Sequence, residues 1–365
     1  MNFKLLNTLE ISEIYNTHMI KDFPASELKP LKRIQDTMKT GLCQCIAMYE
    51  DSMLKGYAVF IIPKKNGDYC SYGLLDYFAI TKENRGMNYG HLFFQNLVPF
   101  LTEHFPWLKG LFIECESIIS AKNAGEKKTR KRRINFYLDN KCILTPLGSN
   151  LFGVTYSVLL YPVVSDVCLT NNEYLKELSY VYKAMFQRKH LNNNVHMWVR
   201  LGEDTLTMPA TKLAPYLIGK LLCRNIGGNI IRYRITETEC YYGEEDTACH
   251  AHRGKTPRNS LLYEKGGTAY VYLCYGMHNL FNVVSGNEGH PEAVLIRGVE
   301  CFSGPGRLTK AMSIDKKLNG ENMLQSDTLW LEDDLYKSKY TRHKRIGIEY
   351  ATKKYRDILW RYLKI

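Results

Sequence analysis

Residues 230–243 read Ile230-Ile231-Arg232-Tyr233-Arg234-Ile235-Thr236-Glu237-Thr238-Glu239-Cys240-Tyr241-Tyr242-Gly243, a strand-like run carrying two carboxylates. A strand repeats every second residue, so Glu237 and Glu239 fall on one face. Carboxylates on the inner face of a sheet are costly unless paired or employed. Downstream come Asp246, His250, Thr256-Pro257-Arg258-Asn259, the aromatic run Tyr270-Val271-Tyr272-Leu273-Cys274-Tyr275-Gly276-Met277, and Asn282. An acid or base among flat aromatic faces suits water activation beside a stacked heterocycle. Taken singly, each feature has a plainer reading. Tyr270 and Tyr272 alternate as a sheet core does, a lone His250 is more often structural, and Glu239 could form a buried pair with Arg297.

The wider chain sets bounds on this reading. Its length of 365 residues suggests two domains or three. A net charge of +12 favours a polyanionic partner such as nucleic acid. Eleven scattered cysteines without Cys-x-x-Cys pairs read as reduced thiols rather than a disulfide framework or zinc site, and no metal-ligand set is expected. Met1 to Leu6 lacks the marks of a signal peptide, and no apolar run approaches the ~20 residues that span a bilayer. The expectation is a soluble cytoplasmic protein, nucleoid-associated if bacterial, with no membrane partner.

In the first half, 9–40 reads as helical with breaks near Pro24 and Pro30. Strands are expected at 43–49, 54–63, 72–80, 111–116, 142–146 and 153–162. A turn-rich stretch, Arg85-Gly86-Met87-Asn88-Tyr89-Gly90, precedes a helix at 91–104. The run Lys127-Lys128-Thr129-Arg130-Lys131-Arg132-Arg133 reads as a basic loop before a short helix at 134–138. As such it is a solvated loop or a clamp for the phosphates of coenzyme A or DNA. A helix at 173–188 reads as a semi-rigid connector or as a helix that packs the halves together. In the second half, Leu213, Leu217 and Leu221 share one face of a helix expected over 208–222. Strands at 230–242, 269–275, 280–285 and 293–299 follow, then a helix from Pro305 to about Met312. This gives an α+β fold class with two domains: 1–165, a connector 166–202, and 203–365 with a curved, mainly antiparallel sheet.

Taken together and in order, Glu-Thr-Glu-x-Tyr, His250 after Asp246, Thr256-Pro257-Arg258-Asn259, Tyr270 to Met277, Asn282, Val294-Leu295-Ile296-Arg297, Ser303 to Leu308 and Arg345-Ile346-Gly347-Ile348 resemble the alkyladenine (3-methyladenine) DNA glycosylases. The resemblance implies a cofactor-free enzyme that flips alkylated purines such as 3-methyladenine, with hypoxanthine a further substrate, out of double-stranded DNA and hydrolyses the glycosidic bond in base-excision repair. It implies Glu239 as general base and Arg297 as its support. Tyr241, His250 and Tyr272 sandwich the base, Asn282 screens out guanine, Tyr275 wedges into the stack and Met277 lies against neighbouring bases. No lysine falls in the core motif, so a monofunctional glycosylase is expected. The chain stops at Trp360 to Ile365, close to where the family commonly runs on.

The first half resembles the acyl-CoA-dependent N-acetyltransferases, a mixed α/β sheet whose strand–loop–helix unit aims helix amides at a pyrophosphate. The resemblance puts acetyl-CoA on Arg85, Gly86, Asn88 and Gly90, with Asn88 replacing a glycine that an αL-tolerant residue can substitute. It makes Tyr137 the acid for the departing thiolate and Glu114 or Glu116 the base, for an unknown acyl acceptor. Competing readings make the chain an acyltransferase whose second half only binds DNA, or make the first half a structural module without cofactor.

Overall fold

In a computed structural model, residues 1–25 and 27–365 are described; Ser26, inside the expected helical stretch, lies outside them. The chain divides into two compact units, Met1–Met197 and Trp198–Ile365. No helix among the described residues is long and apolar enough to cross a membrane.

The first unit is built on antiparallel strands Asn2–Leu5, Cys43–Glu50, Met53–Ile61 and Tyr72–Ile80. The last pairs in parallel with Gly110–Glu116, which runs antiparallel to Val154–Pro162. Both faces are covered, so the strands are apolar almost throughout rather than alternating. Ile46, Met48, Ala58 and Phe60 face Phe93, Phe94 and Leu97 of helix Tyr89–His104. On the other face Tyr57 donates to Asp22 at 2.7 Å, and helix Asn171–Met185 brings the Tyr182 hydroxyl onto Glu114. That helix, expected as part of a connector, is grouped with the first unit.

Two expectations are corrected. The basic run is no loop: one helix spans Ala124–Asp139, started by Asn123, whose side chain accepts from the Glu126 amide at 2.9 Å. Lysine and arginine are good helix formers, but Ile134 is the helix's buried residue, so periodicity gave no signal. The expected 208–222 helix runs only over Ala210–Leu217. Gly219 takes φ +88° and Leu221 begins the strand Leu221–Ile226. A left-handed glycine two residues past the end is how many helices stop.

Every strand pairing within the second unit is antiparallel among the described residues. The strand Asn229–Tyr242 is its spine: its first half pairs with Leu221–Ile226, and its second half lies between Glu292–Val299 and Arg361–Lys364. Bulges between Ile235 and Thr238 let one strand serve both neighbourhoods, since a bulge bends and twists it. Beyond Glu292–Val299 follow His278–Val284 and Ala269–Cys274. One sheet face, with Cys240, Val271, Phe281, Val294 and Ile296, buries against Leu213, Leu217 and Leu308. The opposite face is left to Glu239, Tyr241, Tyr270 and Asn282.

Phe281 is fully buried at the centre of this core. Phe281→Ala should therefore lower the stability of the second unit by about 3–5 kcal/mol, the usual effect of emptying an aromatic core site. Chemical denaturation checks it, and a change below about 1 kcal/mol would contradict this packing.

Candidate active site

The sheet register sets out the site. Glu239 lies opposite Leu295, Leu295 opposite Asn282, and Asn282 opposite Tyr270, so one cross-strand row runs over four strands. Arg297, two residues from Leu295, shares its face. Glu239 is fully buried. Its Oε2 accepts from Arg297 Nη1 at 3.4 Å and from the Tyr241 hydroxyl at 3.1 Å, and its Oε1 accepts from the Ile346 amide at 2.9 Å. Burial pushes its pKa up, while the Arg297 guanidinium, the Ile346 amide and the Tyr241 hydroxyl pull it back. Glu237 completes the cluster, accepting from Arg297 Nε at 3.2 Å and Arg361 Nη1 at 3.3 Å. Two carboxylates are thus matched by two guanidiniums.

Around this cluster stand the aromatics. The His250 and Tyr272 rings meet edge-on with centroids 4.6 Å apart, and His250 Nδ1 lies 3.0 Å from the Tyr270 hydroxyl. Burial, helped by Arg258, lowers the His250 pKa and so favours the neutral ring. Asn259 holds the His250 loop by donating to the carbonyls of His250 and Gly254 at 2.9 and 3.0 Å. Asn282 is buried and donates to the Tyr270 carbonyl at 3.2 Å. The expected turn around Gly276 is closed by Cys274 opposite His278. At its tip Tyr275 takes φ +49° and is 88% exposed, with Met277 73% exposed. The structure therefore brings Glu239, Arg297 and Tyr241 together, sets His250 against Tyr272, and places Tyr275 and Met277 at a hairpin tip.

Three supports escaped the sequence reading. Arg345 and Asp246 form a fully buried pair, with contacts of 2.5 and 2.8 Å, and Arg345 also donates to the Cys240 and Tyr355 carbonyls. Its guanidinium lies over the Tyr241 ring, 4.8 Å from the centroid. Both residues belong to motifs quoted above, but nothing local says that they meet. Arg361, on the last strand, gave no signal at all. The Ile346 amide is a backbone donor that no side-chain pattern announces.

In the first unit, Arg85 donates to the Ile80 carbonyl at 3.0 Å and pairs with Asp22. Gly86 and Asn88 take φ of +79° and +65°, so Asn88 does adopt the left-handed conformation. A Cβ on Gly90 would meet the Phe136 ring at 3.0 Å, which makes this glycine a close-packing point at the start of helix Tyr89–His104. The Tyr137 ring packs edge-on against Phe94. Glu116 is tied to Arg130 at 2.8 Å, whereas Glu114 accepts from Tyr182 and Ser149 and burial raises it to about 7.

Comparison with known proteins agrees with the second unit's geometry. The sequence model of the methylpurine-DNA glycosylase family matches residues 204–304 and 300–364. A protein of Psychrobacter cryohalolentis described as a candidate 3-methyladenine DNA glycosylase is 40% identical over 173 residues, 39% of this chain and 82% of that protein. One of Natranaerobius thermophilus with the same description is 39% identical over 188 residues, 45% of this chain and 94% of the relative. Among solved structures, a candidate acetyltransferase of the GNAT family from Bacteroides thetaiotaomicron is 16% identical at a TM-score of 0.38, over 51% of this chain and 97% of that one. The ribosomal-protein-S18-alanine N-acetyltransferase of Escherichia coli is 13% identical at a TM-score of 0.32, over 46% and 98%.

Because the Tyr275 ring stands in solvent, Tyr275→Ala should leave stability within about 0.5 kcal/mol of wild type. A melting curve checks it; a loss of ~3–5 kcal/mol would instead make Tyr275 a core residue.

Proposed function

The chain belongs to the methylpurine-DNA glycosylase family, and we propose that its second unit releases alkylated purines such as 3-methyladenine, and also hypoxanthine, from double-stranded DNA in base-excision repair. The observation that carries this reading is Glu239, a fully buried carboxylate held by Arg297, Tyr241 and the Ile346 amide. A module that only bound DNA would have no use for such a group, whose burial is costly.

A purine inside a duplex is out of reach, so it must be flipped out and held by stacking and edge contacts. Tyr241 forms one face of the holder, His250 and Tyr272 the other. Electron-rich rings suit a base made cationic by alkylation. Glu239 takes a proton from water as the water oxygen bonds to C1′ of the sugar. The C1′–N bond breaks, its electron pair leaves with the purine, and the carboxylate stabilises the oxocarbenium-like centre. Arg297 orients the water and Glu239. For an alkylated purine, alkylation already makes the base a good leaving group and no strong acid is needed; with no lysine nucleophile in the core the enzyme is monofunctional. Asn282 crowds the exocyclic amine of guanine. Tyr275 fills the gap in the stack with Met277 beside it, offsetting an unstacking cost of a few kcal/mol.

The first unit carries a second proposed activity, acyl transfer from acetyl-CoA to an acceptor of unknown identity. Its two central parallel strands pair only from Tyr72/Gly110 to Leu75/Ile113, although they continue to Ile80 and Glu116. Beyond that point the facing backbone groups are free of each other, which fits an amide-bearing cofactor arm. Arg85 to Gly90 would hold the pyrophosphate on loop and helix amides, with open space beside Gly86. When bound, the cofactor supplies an activated acyl thioester. Glu114, rather than the ion-paired Glu116, holds the acceptor's proton, and Tyr137 is the acid proposed for the departing thiolate.

Glu239→Gln should keep lesion binding and slow single-turnover base release by ~10²–10⁴-fold, the usual weight of general-base help. Near wild-type excision by this variant would sink the assignment. Because Glu239 acts ionised and burial raises its pKa, release should fall on acidification through a limb above the ordinary carboxylate range. Arg297→Gln removes the cation that lowers this pKa, so the limb should move to higher pH. A pH–rate profile checks the direction, and an unmoved or lowered limb would contradict it.

A further inference from the structure

Helix Ala124–Asp139 carries a charge pattern that neither proposed activity uses. Lys127, Lys128, Lys131 and Arg132 are all exposed. At roughly 3.6 residues per turn they fill one arc of about 140°. Asn135 and Leu138 also lie inside that arc, and so does one acidic residue, Asp139, at the helix end. The inner face of the helix is different. There Arg130 binds Glu116 at 2.8 Å, Glu126 at 3.4 Å and the Ser117 carbonyl at 2.7 Å, fixing the helix to its unit. Arg133 points the same way, close enough to influence Cys115 and Tyr156.

None of the outward cations has a carboxylate within ion-pair distance or a ring beneath it among the described residues. Lys127 with Lys131, and Lys128 with Arg132, are like charges four residues apart, a spacing that destabilises a helix. Among the described residues no carboxylate pairs with these four cations to offset this. A local conflict without internal compensation points to something outside the protein. The relief required is a run of negative charges, spaced so that cations spread along about 7–8 Å of helix meet more than one of them. The phosphate backbone of DNA presents such a run, at one charge per ~1.7 Å of duplex axis.

We propose that the outward face of helix Ala124–Asp139 is a second, sequence-independent DNA contact, binding backbone phosphates through Lys127, Lys128, Lys131 and Arg132. DNA is chosen over other polyanions because the glycosylase reading puts DNA on the same chain, and the proposal rests on that reading. Joined covalently to the base pocket, such a contact raises the time spent on undamaged duplex while leaving the chemistry at the sugar alone.

The test is salt titration of full-length protein on an undamaged 30-base-pair duplex, wild type against the quadruple variant Lys127→Gln, Lys128→Gln, Lys131→Gln, Arg132→Gln. Each lost phosphate contact removes about 0.9 from the slope of log affinity on log salt. The slope should become shallower by about 2–4, and affinity near 0.1 M salt should fall at least tenfold. Single-turnover release from a lesion duplex at saturating enzyme should stay at the wild-type rate. An unchanged slope would overturn the proposal. So would lost coenzyme A binding with an unchanged DNA slope, which would assign the patch to a free phosphate ligand. A variant with all three lysines changed to arginine should keep the wild-type slope, separating charge from folding, and circular dichroism of both variants reports the fold. Abasic sites made by wild type on the lesion duplex test the glycosylase reading separately.

Discussion

Everything in the second unit answers to the burial of carboxylates on the spine strand. Glu237 and Glu239 are buried, with Glu239 on the sheet face opposite the apolar core, and an unpaired charge there would cost several kcal/mol. Their partners come from far along the chain: Arg297 lies 58 residues beyond Glu239, the Ile346 amide 107, and Arg361 124 beyond Glu237. The spine is therefore satisfied only when Glu292–Val299 and Arg361–Lys364 have paired on its two edges. The fully buried Asp246–Arg345 pair repeats the theme, tying the loop that carries His250 to the segment that supplies the Ile346 amide. Removing either partner would strand a charge, so these residues fix the geometry even where they touch no substrate.

The same sheet supplies the opposite of burial at its far end. The hairpin between Ala269–Cys274 and His278–Val284 turns through Tyr275, a non-glycine residue with φ +49°, and lifts a large aromatic ring into solvent. An exposed aromatic on a sparsely populated backbone conformation is poor economy for folding, and strain of this kind gathers at working sites. The strand behind it is anchored: Thr309, on helix Pro305–Ala311, donates to the Asn279 carbonyl at 2.8 Å, and the His278 ring lies within 3.0 Å of where a Gly306 side chain would begin. A rigid base under a protruding ring fits the wedge role proposed for Tyr275.

How much of this was legible in the sequence follows from the range of the interactions. Alternation along 236–242 announced the spine and which carboxylates share a face, because strand period is local. The ordered motifs named the family. Pairings across more than a hundred residues leave no such trace, so Arg361 and the Arg345–Asp246 pair appeared only in the fold. The basic run 127–133 reads as a loop, with a helix only at 134–138, because the apolar anchors Ile134, Phe136 and Tyr137 all lie in the second half of helix Ala124–Asp139 and leave its first half without an apolar rhythm. The opposite error lengthened Ala210–Leu217: Leu221 kept the helical rhythm past a left-handed Gly219 that had already ended the helix.

In the proposed mechanism Glu239 has to be a base that is both dry and ready, and its environment fits that demand. Desolvation alone would leave the carboxylate protonated and inert, while a strong, private ion pair would hold it ionised but weakly basic. Here Arg297 is shared, reaching Glu237 at 3.2 Å and Glu239 at 3.4 Å, and Arg361 takes part of the Glu237 charge. The cluster is neutral as a whole, yet no single guanidinium is committed to Glu239. Its pKa stays raised despite three stabilising partners. That balance suits a group that must accept a proton in the same step in which positive charge develops on a sugar beside it.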